Sequence, residues 1–150
     1  MASAFKLPTY KRVPKLWAAI CYLVLLAVVL LLFLGRSVEA LKLAAILKTA
    51  PDFYTHVSNF AISYLLYAAI GYQWLMAGAT MKPIVWLGFA ILLGNFVYES
   101  FIPFINTPDP MDAIYGLVGT ALGFLVLWVI DRHGLIANPA LAKSTAPAGP

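Results

Sequence analysis

The sequence predicts an all-α membrane protein: four transmembrane helices in a bundle, with a short interfacial helix between spans 1 and 2. Three observations predict it. The 150 residues are 63% hydrophobic and only 11% charged, where a soluble domain carries roughly 25% charged residues. Mean hydropathy is +0.88. Charge-free stretches recur at the length a bilayer needs, about 20 residues for a hydrocarbon core of ~30 Å. So much apolar surface does not fit inside one core of a chain this small. An ordinary soluble domain and a disordered chain are therefore excluded. The one cysteine, Cys21, leaves no internal disulfide and no cysteine-based zinc site.

The elements follow in order. Residues 1–15 form a basic N-terminus containing Lys6, Lys11, Arg12 and Lys15. Span 1 is expected at 16–34, a run of Leu, Val and Ala without a charge. It is longer than the roughly 7–15 apolar residues of a signal peptide, so it reads as a retained anchor. Residues 35–55 mix Arg36, Glu39, Lys42 and Lys48 into an apolar background. With Ser37 as N-cap and Val38, Leu41, Ala45 and Leu47 near one face, they read as a helix lying at the interface. Spans 2, 3 and 4 are expected at 57–78, 84–102 and 113–131. The prolines Pro103, Pro108 and Pro110 make the loop before span 4 non-helical. The domain then covers 16–134, and 135–150, rich in Ala and Pro, reads as a disordered tail.

Charge orients the bundle. With the N-terminus in the cytoplasm, Lys6, Lys11, Arg12, Lys15, Lys82, Arg132 and Lys143 fall inside. Arg36, Lys42 and Lys48 fall outside. The excess of Lys and Arg inside puts both termini in the cytoplasm. Trp17, Trp74, Trp86 and Trp128 all fall at the inner ends of their spans, as an aromatic belt would. The basic N-terminus needs only anionic lipid to explain it, so no nucleic-acid partner is expected. The carboxylates lie the other way: Glu39, Asp52, Glu99, Asp109 and Asp112 outside, Asp131 alone inside.

Helical spacing gathers these outer groups. Asp52, His56, Asn59 and Ser63 fall at i, i+4, i+7 and i+11 of span 2. Asn95 and Glu99 share a face of span 3. Asp112, Gly116, Gly119 and Gly123 share a face of span 4, and Gly119-xxx-Gly123 allows close helix packing, within the chain or between copies. Polar groups at membrane depth turn inward. Asp52, His56, Asn95, Glu99 and Asp112 are thus the candidate ligand-binding residues, and Gly116, Gly119 and Gly123 the packing residues. Glu99 lies inside the apolar end of its span and needs a partner, with His56, Arg36 and Asp112 as candidates. Each has a structural alternative: Asp52 as a helix cap, Asn95 as an interhelical hydrogen bond, and Asp109 as part of the proline-rich turn. No HExxH, GxSxG or phosphate loop occurs. No metal and no cofactor is expected; the balance leans away from an enzyme, and catalytic residues stay unassigned, with Glu99 or His56 as the base if there is one.

The same residues resemble the VanZ-like family of small bacterial membrane proteins. Asp52-Phe53-Tyr54-Thr55-His56 matches that family's Asp-Lys-x-x-His opening, read as Asp and His with Phe53 in the Lys place. Glu99 stands for its Glu-x-x-Gln, with Ile102 in the Gln place. Asn106-Thr107-Pro108-Asp109 stands at its Pro-Gly-Arg loop. Asp112, Gly116, Gly119 and Gly123 follow its last motif, with Gly116 in the place of Asn. The resemblance covers about residues 50–130. It implies a four-helix protein of the bacterial inner membrane, and its name-giving member is associated with resistance to the glycopeptide teicoplanin. The expected role is to bind an envelope precursor or a lipid headgroup through the outer cluster. An intramembrane enzyme on a lipid-linked substrate, a small transporter and an assembly factor stay open as alternatives.

Overall fold

The computed structural model describes residues 10–101 and 109–144. Most of them are helical. Helix α1 is Leu16–Leu34, the predicted first span. A 3-10 turn, Glu39–Leu41, and a short helix α2, Ala44–Thr49, follow. Helix α3 is Phe53–Met76, α4 is Met81–Phe101 and α5 is Pro110–Val129. Helix α1, the Met81–Glu99 part of α4 and Pro110–Gly134 are long and apolar enough to cross a membrane. Their outer surfaces expose Leu23, Phe89, Leu93 and Val118, as a lipid-facing surface does. Pro103 and Pro108 of the expected loop lie outside the described residues.

Helix α3 differs from its neighbours. It carries His56, Ser58, Asn59, Ser63 and Gln73, and is not among the three helices apolar enough to cross alone. It is instead the centre of the bundle, packed on α1, α4 and most extensively α5. Its buried residues, among them Val57, Ala61, Tyr64, Tyr67, Ala68 and Leu75, fill one half of its circumference, and Thr55, Ile62, Leu66, Ala69 and Gln73 are exposed on the other. The polar residues His56 and Ser63 lie on the covered half. Tyr67 shows how a buried polar tip is settled, donating to the Ile84 carbonyl at 2.9 Å, whereas the buried Tyr64 hydroxyl finds no acceptor among the described residues. Tyr22 of α1 stacks on Tyr72 with centroids 4.0 Å apart and donates to the Ala68 carbonyl. Buried hydroxyls without such acceptors would cost about 1–3 kcal/mol each.

The α3–α5 contact is made possible by the three glycines on α5. A Cβ on Gly119 would overlap the Phe60 carbonyl oxygen of α3. One on Gly123 would meet the Tyr67 ring at 3.0 Å, and one on Gly116 the Asn95 amide at 2.6 Å. The glycine face is therefore occupied within the chain.

Two sequence expectations are corrected. The connection after α1 is not one helix capped by Ser37. Residues Lys42 and Leu43 are extended, and the helix starts only at Ala44. The break is held from outside: the Leu43 N–H donates to the Tyr54 hydroxyl at 2.9 Å, while Lys42 pairs back to Glu39 at 2.5 Å. The segment after α5 is also structured. A π-turn, Ile130–Gly134, leads into strand β2, Leu135–Ala137. This strand pairs antiparallel with β1, Arg12–Pro14, in the register Val13 opposite Ile136. Helix α6, Pro139–Ser144, follows. Local composition there resembles a tail, but a strand partner arriving from the N-terminus satisfies its backbone.

An ion pair secures this junction. Arg12 Nη1 lies 2.6 Å from Asp131 Oδ1, with the carboxylate mostly buried. Tyr10 donates to Gln73 Oε1, and Asn138 Nδ2 donates to the Tyr10 carbonyl. Arg12→Ala is expected to release Tyr10–Pro14 while the helices stay packed, at a cost of about 1 kcal/mol for a partly buried pair at the bundle end. Hydrogen exchange checks it: the β1 amides lose protection and those of α3 do not.

Candidate functional site

The site lies at the bundle end opposite this junction. It takes the start of α3, the end of α4 and the start of α5. Helix α5 begins there for local reasons. Asp109 Oδ1 accepts the Met111 N–H at 2.9 Å, and Pro110 takes a first-turn position where no N–H is missed. That fixes Asp112 in the first turn, on the face that carries Gly116 and Gly119.

Glycine packing draws α5 against α3, so the two starts meet. His56 is only 8% exposed. Its Nδ1 lies 2.9 Å from Asp112 Oδ1 and 3.7 Å from Asp109 Oδ2. The Tyr115 ring packs against the imidazole with centroids 5.3 Å apart. Five turns along α4 from its start, Glu99 is 6% exposed and accepts from Asn59 Nδ2 at 3.2 Å. Asn95 Nδ2 donates to Ser63 Oγ at 2.7 Å, in the space that Gly116 leaves by lacking a side chain. Arg36, just past α1, reaches the Ser58 hydroxyl.

These groups surround a cavity of about 450 Å³ between α3, α4 and α5. Arg36, Asn59, Asn95, Glu99 and Asp112 line it, with Tyr98 at its side. Its wall is mostly polar. A second, apolar groove of about 310 Å³ runs on between α3 and α4, along Leu66, Ala90, Ile91 and Gly94. The two share Ile62 and Asn95 in their walls, so a polar cavity and an apolar groove lie side by side. A Cβ on Gly94 would meet nothing within 4 Å, so the channel is open there.

Of the five sequence candidates, His56, Asn95, Glu99 and Asp112 lie at this end of the bundle, and the last three line the cavity. His56 is paired with Asp112 beside it. Asp52 does not join them. It is exposed and holds the N-cap position of α3 through its backbone alone: its carbonyl accepts the Thr55 N–H at 3.0 Å, and its side chain makes no cap. The reason is that α3 starts at Phe53. Asp52 precedes the helix, with φ −87° and ψ 3°, so helical spacing does not project it onto the His56 face. Glu99 is met by Asn59, which was not among its expected partners. Arg36, Ser58 and Asp109 belong to the site without having been singled out as site residues. Asp109 carried a usable signal: Asp followed by Pro is a helix start, and a start places its carboxylate beside whatever α5 packs on.

Comparison with models of protein families, with curated proteins and with solved structures finds no match to this chain.

Proposed function

We propose that this chain is a four-span protein of the bacterial inner membrane, of VanZ-like type, that binds the polar head of a membrane-borne amphiphile. On this reading α3 is the fourth span. At 24 residues it measures about 36 Å, enough to cross the core. Its side chains His56 and Ser63 are buried against the neighbouring helices. Helix α2 and the turn before it lie at the outer interface, and both termini face the cytoplasm. The placement of Trp17, Trp74, Trp86 and Trp128 at one end, each substantially exposed, supports that orientation.

The adjacency of the polar cavity and the apolar channel, which share Ile62 and Asn95, is the observation that carries the binding role. A soluble ligand needs no apolar channel, and a wholly apolar one needs no lining of Arg36, Asn59, Asn95 and Glu99. A lipid headgroup or a lipid-linked envelope precursor uses both. Native mass spectrometry of the protein released from its membrane tests this. The wild type is expected to retain lipid, and Gly94→Phe, which fills the channel, to retain about tenfold less, a change of roughly 1.4 kcal/mol. Equal retention would count against the reading. In cells that make the protein, Glu99→Ala or Asp112→Ala should alter glycopeptide sensitivity if the VanZ-like resemblance extends to that role.

The His56–Asp112 pair favours a second reading, an intramembrane enzyme on a lipid-linked substrate. A carboxylate bonded to one imidazole nitrogen orients the ring as a general base. Turnover of lipid phosphates by the purified protein, lost in His56→Gln, would support it.

A further inference from the structure

Two carboxylates converge on a single imidazole nitrogen. Asp112 Oδ1 lies 2.9 Å and Asp109 Oδ2 3.7 Å from His56 Nδ1. One ligand atom from each of the three residues lies within 4.8 Å of the others. A ring nitrogen carries at most one proton, and so donates one hydrogen bond. Asp112 is placed to take it. Asp109 Oδ2 approaches the same nitrogen, while its other oxygen is committed to the Met111 N–H. Two negative groups held this close repel unless a positive charge stands between them.

We propose that His56, Asp109 and Asp112 bind a divalent metal ion of the zinc class. The donor set decides the class. One nitrogen and two carboxylate oxygens suit Zn²⁺, whereas Ca²⁺ and Mg²⁺ sites are built from oxygen and soft-metal sites from sulfur. The spacing fits as well. Ligands bound tetrahedrally at 2.0–2.2 Å stand about 3.3 Å apart, and the two separations from His56 Nδ1 fall on either side of that. Ion entry therefore asks for shifts of a few tenths of an ångström about His56, with the two carboxylates closing from within 4.8 Å of each other. The positive end of α5 opposes a cation by roughly half a charge, which two full carboxylates outweigh. Three protein ligands leave a fourth position, the pattern of an open site. Asp112 also lines the polar cavity, which has room for water or a ligand oxygen there.

The donors come from two helices, which is why no ligand pair on one helix announced them. The site stands independently of the amphiphile reading, since it needs neither the apolar channel nor Arg36.

Zn²⁺ titration calorimetry on tag-free, chelator-washed protein tests the proposal. The chain's other histidine, His133, lies at the opposite end, and Cys21 is on α1, so neither belongs to the site. One Zn²⁺ per chain is expected, with binding lost in His56→Gln. Asp109→Asn is the decisive variant, because asparagine still caps α5 and the fold is kept. Its affinity should fall at least about tenfold with an unchanged circular dichroism spectrum. Co²⁺ in place of Zn²⁺ should give the visible absorption of a tetrahedral ion in the wild type only. Binding of less than one ion per chain, or equal affinity in the wild type and Asp109→Asn, overturns the proposal.

Discussion

Gly119→Ala is expected to destabilise the bundle by about 3 kcal/mol, the upper end of the usual overpacking cost. The added methyl would overlap the Phe60 carbonyl oxygen, with the carbonyl carbon only 3.0 Å away. Backbone on a neighbouring helix cannot turn aside as a side chain does. Helices α3 and α5 must separate along the whole contact, and the Gly116 and Gly123 contacts loosen with it. Between helices in lipid this packing is a main source of association, since the surrounding tails are as apolar as the helices. Gly71→Ala makes the instructive comparison. Its neighbour is the Leu127 Cδ1 methyl, the far end of a flexible side chain, so the loss should be smaller, and Leu127→Ala should relieve the crowding. Gly94→Ala, into open space, should cost nothing by packing. Denaturant unfolding in micelles, followed by circular dichroism, ranks the three. A Gly119→Ala midpoint equal to that of Gly94→Ala would show that α3 and α5 do not touch as described.

Tyr67→Ala should cost about as much, roughly 3–5 kcal/mol by the usual range for aromatic truncation. Tyr67 is 1% exposed and sits where three helices meet. Its ring lies against Gly123 of α5, and its hydroxyl end against Gly88 of α4. Truncation removes the dispersion contacts of the ring with both, and glycines have no side chain that could swing in to refill the space. Tyr67→Phe separates the two contributions. It keeps the ring and deletes only the hydrogen bond to the Ile84 carbonyl, worth about 1 kcal/mol. The same unfolding assay distinguishes them. Similar losses in both variants would place the energy in the hydrogen bond instead of the packing.

The two variants probe parts of the molecule that differ in how legible they were. Gly119 could be read from the chain: Asp112, Gly116, Gly119 and Gly123 repeat at helical spacing, and small residues at such spacing mark a packed face. Tyr67 could not be read that way. Nothing in its neighbourhood distinguishes a tyrosine at the centre from one at an interface, because α3 has no single apolar stripe. The same property shifted a boundary. A search for charge-free residues begins the second span at 57, whereas α3 starts at Phe53, since His56 is acceptable in a helix once Asp112 is beside it. In α5 the start at Pro110 instead of 113 follows from the Asp109 cap, a local signal that hydropathy does not register.

The site divides similarly. The inward direction of Asp112 and Asn95 followed from period and from the cost of polar groups in an apolar medium. Which partner each group takes did not follow. Glu99 meets Asn59, Asn95 meets Ser63, and Asp109 joins His56 across two helices, because the partners depend on the rotation of α3 relative to α4 and α5. Strands β1 and β2 lay further still from sequence reasoning. Each is three residues long, too short to show alternation, and each exists only because the other reaches it.

What the sequence by itself determined is the helical, apolar character of the chain, the glycine face of α5 and the concentration of acidic groups at one end. These follow from composition and from a local period of 3.6 residues, which any helix obeys regardless of its neighbours. What only the tertiary structure decided is that the least apolar of the four long helices occupies the centre, that Asp52 stays outside the site, and that Asp109 enters it. Those outcomes depend on distances between residues far apart in the chain. They are set by how closely two backbones approach, and here the missing side chain of Gly119 sets that approach.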